Sequence, residues 1–254
     1  MSDDEPMPTP IPAATLIIFR AAGDGPPEIL MVERAKAMVF AGGAMVFPGG
    51  RIDPGDHMLA ELIGGDDETA ARIAAVRETI EEAGLPVGLA TMPTPQALVA
   101  MRDALHAGEP FAQVLATAGA ELDLAQLVPW ARWRPAHRHM RIFDTRFFLA
   151  ELPVDAPRAT VDNTENTRLV WATARQVLAD ADAGRLEVIY PTRRNLERLA
   201  QFDSYADAVA HARATPVKVI TPFAEERDGA PHLCIPDDAG YPVTSEAIAE
   251  AMRG

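Results

Sequence analysis

The stretch RETIEEAGL, residues 77–85, preceded by FPGG at residues 47–50, decides how this chain is read. Three of its positions are carboxylates at helical spacing. At roughly 100° per residue, Glu78, Glu81 and Glu82 fall within about one third of a helix circumference. Ile73, Val76 and Ile80 gather on the opposite side. One helix would therefore bury an apolar stripe and present three acids together. Like charges so close repel, and each raises the pKa of its neighbours. A divalent cation removes that penalty, and hard oxygen ligands suit Mg2+ or Mn2+. A solvated acidic face is the plain alternative for such a pattern.

The rest of the chain is consistent with a globular protein. At 254 residues it is long enough for one large domain. Almost half of it is apolar (48%), sufficient for a substantial core. Runs such as ATLIIF are far too short to span a bilayer, and no membrane association is expected. The amino-terminal MSDDEPMPTPIP is acidic and proline-rich, without the basic and apolar regions of a secretory signal. Residues 1–13 are read as a disordered lead-in. Cys234 is the only cysteine, so no disulfide forms within the chain, and a reducing cytoplasm is the natural compartment. The carboxyl-terminal AMRG is not a peroxisomal address. A net charge of −14 argues against nonspecific nucleic-acid binding. It also means that an anionic substrate must be held by cations and local basic residues. A homodimer is compatible with the sequence.

Short branched runs at 14–20 and 29–33, separated by the turn-rich AAGDGPP, read as paired strands, and 44–47 as another. Residues 54–66, with Gly, Pro and Asp, read as a loop. Asp66, Asp67 and Glu68 suit a helix start, and Gly84 its C-terminal cap. Helical patterns at 96–108, 110–119 and 121–127 form an insertion at about 90–127, too short to bury a core of its own. Strand character returns at 128–134, 142–152 and 169–172, with helices around 174–182 and 192–212. Residues 216–254, rich in proline, read as an extension packed on the main domain, 14–215, as an extended tail with a short final helix.

The order FPGG, then a helix with REtIEEaGL, resembles the Nudix box of the Nudix hydrolases. The family pattern is Gly, five residues, Glu, seven residues, then R-E-U-x-E-E-x-G-U. Gly50 stands as the opening glycine, and Arg77, Glu78, Glu81, Glu82, Gly84 and Leu85 match the closing half, with Thr79 at the first U position. The step from glycine to arginine is 77 − 50 = 27 rather than fourteen, so thirteen extra residues intervene. Counted back from Arg77, the middle Glu falls on Thr69, with Glu68 one position off. The resemblance implies an α/β fold, an α/β/α sandwich with a mixed sheet and here a helical insertion.

Residues 30–50, LMVERAKAMVFAGGAMVFPGG, further resemble the motif upstream of the box in coenzyme A diphosphatases. Leu30, Arg34, Ala35, Gly43 and 47–50 fall in register; Val32 and Val39 replace a Thr and an Arg of that pattern, and Met31 its second Leu. The long insertion within the box resembles the peroxisomal branch and its bacterial relatives.

These resemblances imply metal-dependent hydrolysis of a pyrophosphate linkage in a nucleoside diphosphate derivative. The leading substrate is coenzyme A or an acyl-coenzyme A, split to adenosine 3′,5′-bisphosphate and a phosphopantetheine. ADP-ribose or a dinucleotide is the alternative substrate, and a nucleotide-sensing regulator the alternative of another class. Glu78 and Glu82, one turn apart, are the candidate ligands of Mg2+ (or Mn2+). Glu81 would hold a second ion or orient a water, and the Gly49 carbonyl would face the metal. Arg77 would orient the carboxylates by pairing. The general base is sought in VDNTENTRLVW, with Glu165 preferred over Asp162. One basic stretch stands out, ARWRPAHRHMRIFDTRFF, residues 131–148. Arginine forks hold phosphates well. Arg34, Arg132, Arg141 and Arg146 are therefore the candidate substrate-binding residues, with Arg134 and Arg138 beside them. His137 and His139 carry little metal-site weight without softer partners. Trp130, Trp133 and Phe148 are read as core, as is Cys234.

Overall fold

A computed structural model of the chain describes residues 8–23, 25–38, 41–136, 142–162, 165–227 and 229–251. Its centre is a mixed sheet in the order β3 (Met45–Val46), β2 (Glu28–Arg34), β1 (Ile11–Arg20), β6 (Phe143–Glu151), β5 (Val128–Trp133) and β8 (Val219–Ile220), with β4 (Gly49–Arg51) also on β1 and β7 (Asn166–Ala172) also on β2. Strand β1 lies parallel to β6 over nine residue pairs, from Ile11↔Phe143 to Phe19↔Glu151. On its other edge it meets two partners in turn. The start pairs with β4, and the end with β2. Strand β2 continues with β3 and β7, whereas β5 joins β6 antiparallel and β8 parallel.

Alternation along the strands loads both faces, as a sheet between two helical layers requires. Leu16, Ile18, Phe148 and Ala150 face one side; Ile17, Phe19, Phe147 and Leu149 face the other. Helix α1 (Pro54–Leu62), the motif helix α2 (Asp67–Ala83), α3 (Pro95–His106) and α4 (Phe111–Ala118) cover the first face. Ile73, Val76 and Ile80 of α2 are fully buried there, the stripe expected of the sequence. Met101, Leu105, Phe111 and Val114 enter the same core, so the helical insertion is part of this layer, not a separate unit. Helices α5 (Ala174–Asp182), α6 (Tyr190–Leu199) and α7 (Tyr205–Ala214) cover the second face with Trp130 and Trp133.

Four local readings are corrected. Residues 54–66 are not a loop: Pro54 opens α1, and the Asp53 N–H donates to Asp56 Oδ2 at 2.9 Å. Proline at the first helical position needs no N–H partner, and an aspartate before it is a helix-start signal. The helical pattern at 192–212 is two helices, because Ser204 caps α7 by accepting from the Asp207 N–H. The carboxyl-terminal stretch, expected as an extended tail, folds into a small antiparallel sheet. This sheet is β11-β10-β9, made of β9 (Phe223–Arg227), β10 (Ala230–Cys234) and β11 (Ser245–Ala247), and the short α8 (Ile248–Ala251) follows. Ile235, Ala239 and Tyr241 dock it on the second core. Strand β1 also begins at Ile11, within the stretch expected as a disordered lead-in. Cys234 is buried and unpaired, and no described helix is long and apolar enough to cross a membrane.

Candidate active site

Helix α2 presents its acids in its last two turns, against β4. Asp66 caps its start by accepting from the Thr69 N–H, and Gly84 ends it in the left-handed conformation. The two glycines of FPGG then meet the acids directly. The Gly49 N–H donates to Glu82 Oε2 at 2.9 Å. A Cβ on Gly50 would stand 2.4–2.7 Å from the Glu78 carboxylate, so only glycine lets the strand pass this close.

Arg77 organises the cluster. Its Nε and Nη2 donate to both oxygens of Asp56 at 3.1 and 2.9 Å, and its Nη1 donates to Glu78 Oε1 and Glu81 Oε1, each at 2.9 Å. A further bond reaches the Arg51 carbonyl. Pairing with the acids was the expected role. Burial works against its charge, but the bond to Asp56 and the charges of Glu78 and Asp56 outweigh burial and raise its pKa further.

Asp56 is the acid that the sequence reading missed. It is 1% exposed and belongs to the box. Counted forward from Gly50, five residues intervene before Asp56, the family's own step to its middle acid. Counting back from Arg77 crosses the extra residues and lands on Thr69 instead. The insertion therefore follows the middle acid. Glu68, one position off in the backward count, pairs with Arg72 and Arg146, ten residues and about 15 Å of helix rise away from Glu78.

The acids fit a cation. Asp56 and Arg77 offset each other, leaving Glu78, Glu81 and Glu82 as excess negative charge at one helix end. Burial, reinforced by the Glu82 and Glu81 charges, drives Glu78 above the usual carboxylate range despite Arg77. Burial does the same to Glu82, opposed by Asn166, the Gly49 N–H and Arg34. A divalent ion would lower both. Among the described residues, no three His, Cys, Asp or Glu side chains already converge on one point, since Arg77 occupies Glu78 and Glu81.

The second wall comes from β2 and the segment before β7. Arg34 pairs in register with Asn166 and lies 3.8 Å from Glu165 through Nη2. Asp162 accepts from the backbone N–H groups of Glu165 and Asn166. Among the described residues the amide of the fully buried Asn166 makes no well-formed hydrogen bond, although it lies close enough to Glu82 to favour its charged form, and Arg34 Nε has no partner either. Orphaned groups beside Glu82 are what an unfilled ligand position leaves. Glu165 stands at the rim with its side chain 58% exposed, within reach of Arg34.

The described arginines of the basic stretch are not brought to the acids. Arg132 and Arg146 are cross-strand partners near the start of α2. Arg132 forks onto Asp144 at 2.7 Å through both nitrogens, and Arg146 faces Glu68 at 3.6 Å. Arg134 also lies near Asp144. The residues expected at Arg138, Arg141, His137 and His139 lie outside the described residues. Trp130, Trp133 and Phe148 are buried, as expected of core.

Residues 9–119 match the family model described as the NUDIX domain. A putative nudix hydrolase 7 of Caenorhabditis elegans is 29% identical over 178 residues, covering 68% of this chain and 56% of that protein. An acyl-coenzyme A diphosphatase of Gallus gallus is 25% identical over 237 residues, covering 71% and 63%. The chain thus spans about three fifths of the length of these relatives. The crystal structure of a NUDIX hydrolase from Alicyclobacillus acidocaldarius superposes with a TM-score of 0.69 at 29% identity, covering 81% of this chain and 97% of that one.

Proposed function

We propose that this chain, whose residues 9–119 match the NUDIX domain, is a Nudix hydrolase that cleaves the pyrophosphate bond of a nucleoside diphosphate derivative, coenzyme A or an acyl-coenzyme A first among them. The observation that carries the hydrolytic reading is the meeting of FPGG with the α2 acids: Gly49 on Glu82, Gly50 against Glu78, and Arg77 clamped by Asp56. A protein that only binds a nucleotide has no need of three acids so placed. The family's Nudix fold sets the scaffold, not the substrate.

Glu78 and Glu82 would hold Mg2+ or Mn2+, with Glu81 and the Gly49 carbonyl adjoining. The bound ion would neutralise phosphate oxygens and lower the pKa of a water at the site. The chain's own groups do the rest. Arg77 fixes the rotamers of Glu78 and Glu81 through one nitrogen. Arg34, whose charge acts on Glu82, would take a phosphate oxygen of the substrate through its guanidinium. Glu165, at the rim, would accept the proton of the attacking water. Water adds to one phosphorus, and the bridging oxygen leaves with the other phosphoryl group.

The coenzyme A reading rests on the residues 30–50 pattern and on the Gallus gallus relative. The decisive experiment is a screen with Mg2+ over coenzyme A, acyl-coenzyme A, ADP-ribose, NADH and diadenosine polyphosphates, with Glu82→Gln as control. Cleavage of coenzyme A to the bisphosphate by the wild type alone is expected. Activity confined to ADP-ribose or dinucleotides would move the substrate, and wild-type-like turnover in Glu82→Gln would remove the mechanism.

A further inference from the structure

The helical insertion reaches the active site through one side chain. Arg102 stands on α3 and places its guanidinium at the end of α2. Its Nε donates to the Glu81 carbonyl at 2.8 Å and its Nη2 to the Glu82 carbonyl at 3.1 Å. The same Nη2 donates to the Thr160 carbonyl at 2.9 Å, and Nη1 to Thr160 Oγ1 at 2.8 Å. One turn later on α3, His106 Nε2 lies 3.1 Å from the Glu81 carbonyl. The Thr160 N–H closes the junction by donating to the Ala83 carbonyl.

The last carbonyls of a helix have no partner within it, and a cation there complements its dipole. Helix α2 carries no basic residue in its own last turn. Arg102 supplies one from another element. Thr160 lies two residues before Asp162, whose carboxylate holds the backbone of Glu165 and Asn166. The charge of Asp162 acts on both Arg102 and Glu82. A single fork therefore joins the backbone of two motif acids to the segment that bears the candidate base and the buried Asn166.

We propose that Arg102 is a positioning residue, which clamps the end of α2 to Thr160 and, through the neighbouring Asp162, to the backbone of Glu165 and Asn166, and so sets Glu82 and Glu165 across the site from each other. The insertion is thereby a working part of the active site. The catalytic half of the proposal rests on the hydrolase reading above; the clamp itself does not. Lysine at this position would retain the charge but, as a point donor, could not span acceptors on two elements.

The test uses full-length Arg102→Ala, Arg102→Lys and Thr160→Val, the last removing one acceptor at the surface and leaving α3 intact. Amide hydrogen exchange reads the clamp without substrate. Exchange at Thr160–Asp162 and at residues 165–166 should rise about tenfold or more in both Arg102 variants, and less in Thr160→Val, while α3 and β1 stay protected. With the substrate found in the screen, kcat should fall about ten- to a hundredfold with KM within about threefold. Arg102→Ala added to Glu165→Gln should slow the latter by no more than about twofold, because both act through one segment. Unchanged exchange at Thr160–Asp162 in Arg102→Lys would overturn the clamp, and so would rate losses that multiply in the double variant. If Arg102→Ala fails to fold, Arg102→Lys and Thr160→Val decide the question. A wild type inactive on every substrate would strike the hydrolase reading and leave the exchange result to judge the clamp.

Discussion

Removing Asp56 tests the claim that the middle acid of the motif is the charge partner of Arg77. The two groups are 1% and 7% exposed and meet through two bonds of 3.1 and 2.9 Å. Truncating one partner of a buried pair costs about 3–5 kcal/mol, because the other charge stays buried. Asp56→Ala also takes the acceptor from the Asp53 N–H, a helix-start bond of about 1 kcal/mol. Arg77 keeps Glu78, Glu81 and the Arg51 carbonyl, which offsets part of the loss. The expected net destabilisation of Asp56→Ala is about 3–4 kcal/mol, or roughly 10 °C in Tm for a chain of this size. Urea unfolding of the wild type, Asp56→Ala and Asp56→Asn measures it. Asp56→Asn keeps the acceptor and the shape but not the charge, so it should still lose about 2 kcal/mol or more. The freed guanidinium should also compete for Glu78 and Glu81, raising the Mg2+ concentration needed for half-maximal rate. Stability of Asp56→Ala within about 1 kcal/mol of wild type would refute the pair as a structural element. A loss in Asp56→Ala that Asp56→Asn fully restores would assign the effect to the helix start alone.

Other substitutions follow from the same geometry. Gly50→Ala puts a methyl where the Glu78 carboxylate sits, and a displacement of about 1 Å there should lower kcat roughly a hundredfold with little change in Tm; near-normal turnover would show that Glu78 can move freely. Arg34→Ala should weaken kcat/KM by about ten- to a hundredfold, whereas Arg146→Ala, at the other end of α2, should change it less than about twofold. Equal losses in steady-state assays of the two would return the phosphate contact to the basic stretch. Far from the site, burial raises Glu197 from 4.5 to about 7, opposed by Arg194 and Arg193 and aided by Glu246 and Asp182. Between those values the native state retains a proton that the unfolded chain has released, so this group removes stability as pH rises from 4.5 to 7. Glu197→Gln should flatten that part of the urea-midpoint profile, and an unchanged slope would count against it.

What was legible in the sequence was mostly local. The acid face of α2, its apolar stripe and its Gly84 cap follow from helical spacing within one element, and the structure has all three. The strands at 128–134 and 142–152 were legible because branched and aromatic residues alternate there. What was hidden depended on partners distant along the chain. Arg102 meets Thr160 across 58 residues, and nothing in QALVAMRDALHAG marks one arginine among surface charges. Asn166 looks like any turn residue until it is found buried opposite Arg34. The arginines of 131–148 are neighbours in sequence, but the antiparallel pairing of β5 and β6 assigns Arg132 to Asp144 and Arg146 to Glu68.

The lengthened motif explains why such a chain can keep its site. Thirteen additional residues would break a constellation that depended on an unbroken spacing from Gly50 to Arg77. Here the spacing is divided in two. The first part, from Gly50 to Asp56, runs through β4 into the start of α1; the second is α2 alone. Between them α1 and α2 form a helical pair, turned at Gly64 and Gly65, with Gly64 at φ 75° and the Gly65 N–H on the Ala60 carbonyl. That pair returns the chain so that Asp56, in the first turn of α1, meets Arg77, in the third turn of α2. Added length is absorbed in this helical pair, which Leu59 and Ala60 anchor in the core. The acid–guanidinium contact is thus fixed by packing at both ends, and the number of residues between them is free to vary.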